Sequence, residues 1–310
     1  MQVVTPETAQ VSHAGSAVTI GAYDGLHLGH QWVIGSLREQ AAARGLTLVV
    51  ATFDRHPASV LRPDHAPKLL CTLEEKIALL AELGVEVTCV IPFDEERSTE
   101  RPEDFVDEVL VEALSARLVV VGQDFRFGQD RSGDVALLEA LGASRGFLVE
   151  GVGLSEVDGQ KISSTRIRDL VAKGDVEGAA GLLGRSFSVR GTVVHGDGRG
   201  GPELGYPTAN VEVDATMAQP GAGIYAGWVS LEGGAPLMAA ISVGRRPTFY
   251  ADAPPIIEAH LLDWEGDCYG QGAVVSFVSR LRDELRFESV DALITQMGAD
   301  VEATRARLLA

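Results

Sequence analysis

In the first half of the chain, short apolar runs alternate with segments whose apolar residues recur every three or four positions. Residues 17–21, 46–53, 85–91, 118–122 and 147–152 are the runs. Each is bounded by turn residues or polar stretches, which is how strands buried on both faces of a parallel sheet read. Helices are expected between them at 30–44, 72–83, 102–114 and 135–145. In the third, Pro102 falls near the helix start, and Phe105, Val106, Val109, Leu110 and Leu114 make the apolar stripe. Alternation of this kind predicts a doubly wound α/β sheet that takes its ligands at the carboxyl ends of the strands.

The pattern changes near residue 184. Residues 163–173 and 175–183 read as two short helices, with Asp175 a candidate N-cap for the second. Beyond Gly184, β-rich runs at 187–195, 224–231, 237–243, 256–262 and 273–278 are separated by glycine-rich turns, which predicts a small antiparallel β-barrel. An amphipathic stretch over 289–309 predicts a C-terminal helix. Two domains are therefore expected, 1–184 and 185–310, in a chain of 310 residues.

Composition narrows the partners. A net charge of −18 repels nucleic-acid phosphates, so a general DNA or RNA binder is not expected. A small polyanion such as ATP remains compatible, since glycine amides, a helix N-terminus and Mg²⁺ bind it locally. Mean hydropathy is +0.11. Neither a leader with a basic start and an apolar centre nor an uninterrupted membrane-length apolar run is present, and Cys71, Cys89 and Cys268 form no C-x-x-C pair. A cytoplasmic chain with no membrane partner is expected.

The most informative stretch is residues 21–30 (GAYDGLHLGH), between the first predicted strand and the first predicted helix. His27 and His30 stand three apart, so their rings share one face at a helix start, while Gly21 and Gly25 allow close backbone approach to a ligand. Imidazole donors beside a positive helix end suit a polyphosphate and the charge that develops on departing pyrophosphate. Taken alone, the stretch also fits a turn with a capping Asp24. No cysteine or acidic residue stands nearby at a familiar zinc spacing.

With its H-x-G-H, this segment resembles the nucleotidyltransferase superfamily, and specifically the N-terminal module of bacterial bifunctional riboflavin kinase/FAD synthetases. The superfamily's second signature matches residues 162–168 (ISSTRIR), and the resemblance implies ATP and FMN contacts from Ser163, Ser164 and Thr165. Arg168 adds a guanidinium fork suited to phosphate. Residues 122–128 (GQDFRFG) and 52–57 (TFDRHP) are similar to two further family stretches, implying contacts from Asp124 and His56; Arg55 replaces a family proline. The implied fold is a nucleotidyltransferase-type, Rossmann-like domain. The implied reaction is attack of the FMN phosphate on the α-phosphorus of ATP, with no covalent enzyme intermediate.

The chain has no Gly-Lys dipeptide, which excludes a Walker A loop. Residues 196–201 (GDGRGG) match G-x-G-x-x-G, but a proline-containing segment follows where a dinucleotide fingerprint needs a helix. A phosphate-covering loop using Gly198 and Gly201 and a plain hairpin both remain open. Residues 204–210 (LGYPTAN), with Gly205 and Pro207, resemble the flavokinase signature. The neutral oxygens of Thr208 and Asn210 suit Mg²⁺. Further family-like stretches carry Tyr225 (GIYA), Glu258 (IEAHLLD) and Arg282 (LRDELRF), while Arg246 replaces a family asparagine. The resemblance implies that Glu258 is the general base for the riboflavin 5′-hydroxyl and that Tyr225 and Arg282 lie at the flavin and ATP site. It also implies a β-barrel flavokinase domain after the first domain, with riboflavin, FMN and ATP as the small-molecule partners.

Overall fold

The computed structural model describes residues 1–153, 156–157, 160–195, 206–244 and 256–309. Gly198, Gly201, Gly205 and Arg246 lie outside the described residues. The chain divides into two compact units, Met1–Ser164 and Thr165–Ala310.

In the first unit, strands β1 (Gln2–Val4), β2 (Ser16–Ile20), β3 (Thr47–Phe53), β4 (Val87–Ile91), β5 (Ala116–Gly122) and β6 (Leu148–Val152) form a parallel sheet in the order β1-β4-β3-β2-β5-β6. Helices α1 (Leu28–Arg44), α2 (Ala58–Leu61), α3 (Leu73–Glu82), α4 (Glu95–Ser98), α5 (Pro102–Phe105) and α6 (Val135–Arg145) lie between them. The stretch read as one helix from 102 begins as α5 and continues as a π-helix over Val106–Ala113.

Alternation along the strands sends side chains to two cores. Val18, Ile20, Val49 and Ala51 pack with Val106, Val109 and Leu110, whereas Ala17, Leu48 and Val50 pack with Ile34, Leu37 and Leu80. Both faces of the sheet are therefore covered, as the continuous apolar runs require. A fully buried leucine or valine here contributes about 1.5–3 kcal/mol. β1 was not anticipated: three residues are too short to show a period, and parallel pairing with β4 holds them at the sheet edge. A short antiparallel pair, β7 (Glu156–Val157) and β8 (Gln160–Lys161), follows β6.

From β2 the chain winds outward through β3 and β4 on one side, then returns to place β5 and β6 on the other. The strand order thus reverses beside β2, so a crevice opens at the carboxyl ends of β2 and β5.

The second unit holds most of α7 (Ser164–Lys173), then α8 (Val176–Leu183), capped by Asp175, whose carboxylate accepts from the Gly178 amide at 2.8 Å. Six described strands, β9 (Phe187–Val194), β10 (Ala209–Val213), β11 (Gly223–Leu231), β12 (Leu237–Gly244), β13 (Ile256–Leu261) and β14 (Gly272–Arg282), close a barrel in the order β10-β13-β12-β11-β14-β9. Its interior is filled by Val189, Val211, Tyr225, Ile241, Ile257, Ala259 and Phe277, all buried. β10 begins at the end of the LGYPTAN segment and has no counterpart among the β-rich runs read from the sequence. Helix α9 (Val290–Leu308) lies against β11, β12 and β14.

Candidate active sites

The loop after β2 is held under strain. Tyr23 and Leu26 have φ of 48° and 42°, left-handed values that bulky residues rarely adopt, and Gly25 takes 76° at no steric cost. Such strain persists only where the surroundings over-determine the loop. Here Asp24 Oδ1 accepts from the amides of Leu70 (2.9 Å) and Cys71 (3.3 Å), the Gly25 amide donates to Cys71 Sγ, and the Tyr23 hydroxyl bonds Thr19 Oγ1 at 2.6 Å. Asp24 thus braces the loop through its carboxylate. Its backbone oxygen accepts from Ser164 Oγ at 2.9 Å, which brings the second signature onto the first.

The strained loop delivers the two histidines. His27 is the N-cap of α1, and its Nδ1 accepts from the His30 amide at 3.3 Å. A neutral His27 therefore carries its proton on Nε2. The two rings stack with centroids 3.5 Å apart and planes 17° off parallel. Gly29 permits this, because a Cβ there would stand 3.2 Å from the His27 ring. The Tyr23 ring meets His30 edge-on at 5.0 Å. Burial, followed by the charges of His27 and Lys76, pushes His30 well below the usual imidazole range. Its Nδ1 is buried with no hydrogen-bond partner among the described residues.

The other expected groups fall at strand ends of the same sheet. His56 follows β3, and its Nδ1 accepts from the Ala58 amide at 3.1 Å. Arg55, at the family's proline position, turns back on Asp54 at 2.9 Å. Asp124 follows β5 and pairs with Lys161. A cleft is lined by Ala22, Asp24, Asp54, Arg55, His56, Cys71 and Lys76. Lys76 was not anticipated. The signal was present, since Leu73, Lys76 and Leu80 share the 3-and-4 spacing of an apolar stripe, where a lysine is out of place. Thr165 and Arg168 stand on α7 in the second unit, exposed and half-buried respectively.

In the barrel, strand register assembles the groups. Asn210 on β10 is directly opposite Glu258 on β13, and Glu258 is directly opposite Ser242 on β12. All three are half-buried, whereas their neighbours Ala209, Val211, Ile257, Ala259, Ile241 and Val243 point into the core. Residues 256–261 therefore alternate between the outer face and the core, as a period-two strand does, and Leu262, just past the strand end, is buried. Thr208, two residues before Asn210, is half-buried, and the Pro207 carbonyl meets His260 Nδ1 at 2.9 Å.

Two expected ligand groups are engaged elsewhere. Tyr225 is fully buried within the barrel, and its hydroxyl donates to the Gly221 carbonyl. Arg282 grips Asp300 of α9 with two bonds of 2.9 and 2.6 Å and gives a third to the Asp283 carbonyl.

Residues 9–166 match the FAD synthetase family model and residues 183–308 the riboflavin kinase model. The chain belongs to the bifunctional riboflavin kinase/FMN adenylyltransferase family. It is 38% identical over 295 residues to the bifunctional riboflavin kinase/FMN adenylyltransferase of Pseudomonas fluorescens, covering 95% of this chain and 93% of that one. The Bacillus subtilis protein of the same name is 37% identical, covering 93% and 90%. A crystal structure described as a macrolide-efflux protein from Streptococcus pneumoniae superposes with a TM-score of 0.87 at 31% identity, over 98% of this chain and 99% of that one. Among the described residues here, no helix is long and apolar enough to cross a membrane. Residues 167–182, between the two matched ranges, take in most of α7 and α8.

Proposed function

We infer that the chain phosphorylates riboflavin to FMN in its barrel and adenylylates FMN to FAD on its parallel sheet, with ATP as co-substrate of both reactions. The carrying observation is that each matched range brings together its own polar cluster: the stacked His27–His30 pair beside the sheet's crevice, and the Asn210–Glu258 rung on the barrel. The adenylyltransferase takes in residues 1–184 and the kinase 185–310. Thr165 and Arg168 serve the first reaction, contributing a hydroxyl and a guanidinium to phosphate, although α7 shares hydrogen bonds with the barrel unit through Lys173 O–Arg280 and Val171 O–Gly221.

In the kinase, Glu258 accepts the proton of the riboflavin 5′-hydroxyl as that oxygen attacks the γ-phosphorus of ATP and ADP leaves. Thr208 and Asn210 hold Mg²⁺. The fit rests on the neutral hydroxyl and amide oxygens of these two half-buried side chains, which hard cations prefer, with the Glu258 carboxylate across the rung left to act as base. The ion supplies neutralisation of phosphate charge when bound. Gly198, Gly201, Gly205 and Pro207 cover the phosphates. Tyr225 and Arg282 act on this site from behind, Tyr225 by filling the barrel and Arg282 by fixing α9.

In the adenylyltransferase, a phosphate oxygen of FMN attacks the α-phosphorus of ATP, and the bond to the departing pyrophosphate breaks. His27 and the uncharged His30 donate N–H to phosphate oxygens; Gly21, Gly25, His56, Asp124, Ser163 and Ser164 shape the pocket around the two nucleotides. A buried neutral imidazole gives a preorganised donor at a site where charge develops. Three free, buried cysteines suit work in the reducing cytoplasm.

The test is to incubate the pure chain with riboflavin, ATP and Mg²⁺ and to separate the flavins by chromatography. FMN and FAD should both form, and leaving out Mg²⁺ should stop FMN formation. Riboflavin left unchanged, or FMN that never becomes FAD, overturns the reading. Thr208→Ala should raise the Mg²⁺ concentration needed for FMN formation.

A further inference from the structure

Lys76 is a buried cation without a matching anion. Only 8% of it is exposed, and its ammonium donates to Thr52 Oγ1 at 3.2 Å and to the Phe53 carbonyl at 3.5 Å, both uncharged. Among the described residues it makes no ion pair within 4 Å. The nearby carboxylates are committed: Asp24 to the amides of Leu70 and Cys71, Asp54 to the Phe93 amide and to Arg55. Burying an unpaired ammonium is costly, and burial lowers its pKa accordingly. A lysine that served only to close the core would be replaceable by an apolar residue at a gain in stability.

The position explains why the charge is worth keeping. Lys76 lines the cleft with Ala22, Asp54, His56 and Cys71, at the carboxyl ends of β2 and β3. Thr52 Oγ1, which accepts from the ammonium, donates in turn to the Ala22 carbonyl at 3.3 Å. One side chain therefore links α3, the end of β3 and the loop that carries the histidines, and its charge is felt at His30. An ammonium has three N–H donors, and two are met by protein oxygens.

We propose that Lys76 binds a phosphate group of the adenylyltransferase substrates in the ground state, its third donor and its charge completed by a phosphate oxygen. This rests on the adenylyltransferase reading above. Either the polyphosphate of ATP or the 5′-phosphate of FMN supplies that chemistry, and the experiment separates them.

In the full chain, Lys76→Met keeps the stem and removes the charge. The KM for ATP or for FMN in FAD formation should rise about 10- to 100-fold, the range of one hydrogen bond to a charged group. Riboflavin phosphorylation in the same molecules should be unchanged. A rise confined to ATP, with weaker inhibition by pyrophosphate, assigns the polyphosphate; a rise confined to FMN assigns the flavin phosphate. Unchanged KM for both, or a fall in kcat alone, overturns the proposal.

A second measurement needs no variant. The chain has four lysines, Lys68, Lys76, Lys161 and Lys173, so ¹⁵Nζ spectra of labelled protein are simple enough to assign. Titration with pyrophosphate or with FMN should shift the Lys76 signal, and a Lys76 signal that moves with neither overturns the proposal. If the unaltered chain makes no FAD, the functional reading fails; if it makes FAD and Lys76→Met does so with the same constants, only this inference fails.

Discussion

The two units build their polar clusters by opposite routes. On the parallel sheet the groups stand on segments beyond the strand ends, drawn from separate parts of the chain: His27 and His30 after β2, His56 after β3 and Asp124 after β5, with Ser164 following the separate β7–β8 pair. Side chains of the strands themselves are committed to two apolar cores, so chemistry has only the loops to occupy. In the barrel, alternate residues face outward, and register alone sets Asn210 against Glu258 and Glu258 against Ser242. A sheet covered on both faces exports its chemistry to loops, whereas a barrel with one free face keeps it on the strands.

The comparison breaks most sharply at Glu258. Glu258→Gln preserves shape and removes the carboxylate proposed as base, so FMN formation should fall about 10²–10⁴-fold while conversion of supplied FMN to FAD continues. Chromatography of flavins from each half-reaction reads both. Loss of the two activities together in a folded protein would mean that the sites are not separate.

The converse change is His30→Ala. FAD formation from FMN should fall about 10²–10³-fold, the cost of one preorganised donor, and riboflavin phosphorylation should persist. The same histidine carries a pH signature. Its pKa is lowered by folding, so the unfolded chain binds more protons, and stability falls as pH drops below the ordinary imidazole value of 6.5. Urea midpoints measured at about pH 7 and about pH 5.5 should differ less in His30→Gln than in the parent.

These contrasts also explain what was legible in the sequence. The central strands β2 to β5 announce themselves because burial on both faces leaves an unbroken apolar run. The H-x-G-H stretch is legible because its groups are contiguous. Register is not contiguous: that Asn210 meets Glu258 depends on β10, a short strand behind Pro207 that no β-rich run announces, and on pairing across nearly fifty residues. Lys76 hides for a different reason. Its place on the Leu73–Leu80 stripe marks it as out of place, but its partners, Thr52 and the Phe53 carbonyl, lie more than twenty residues away on β3. Arg282 and Tyr225 carry family motifs, yet the structure engages them with Asp300 and Gly221. A motif names a residue without saying whether it faces the ligand or supports something that does.

Support of that kind is measurable at Asp300. Arg282 and Asp300 side chains are 19% and 10% exposed, and Gln296 also donates to Asp300 at 3.0 Å. Asp300→Ala leaves the half-buried guanidinium without its carboxylate and, among the described residues, with the Asp283 carbonyl as its remaining partner, which costs up to about 3 kcal/mol. Thermal unfolding of the barrel should drop accordingly, and the KM for riboflavin should rise if α9 borders that site. The first unit should unfold as before.

The smallest effect tests whether loop chemistry on the sheet depends on local capping. Thr72 Oγ1 accepts from the Glu75 amide at 3.1 Å while Glu75 Oε2 accepts from the Thr72 amide at 2.8 Å, a capping box one residue before α3 and four before Lys76. Thr72→Ala orphans one amide and should cost about 1 kcal/mol. Because Lys76 is also held by Thr52 and Phe53, the first turn of α3 should fray without releasing the ammonium. Amide exchange should therefore quicken at the start of α3, while the KM values for FAD formation stay within about twofold of the parent. A KM shift as large as that of Lys76→Met would instead show that the cap, rather than the strand end, sets the position of the charge.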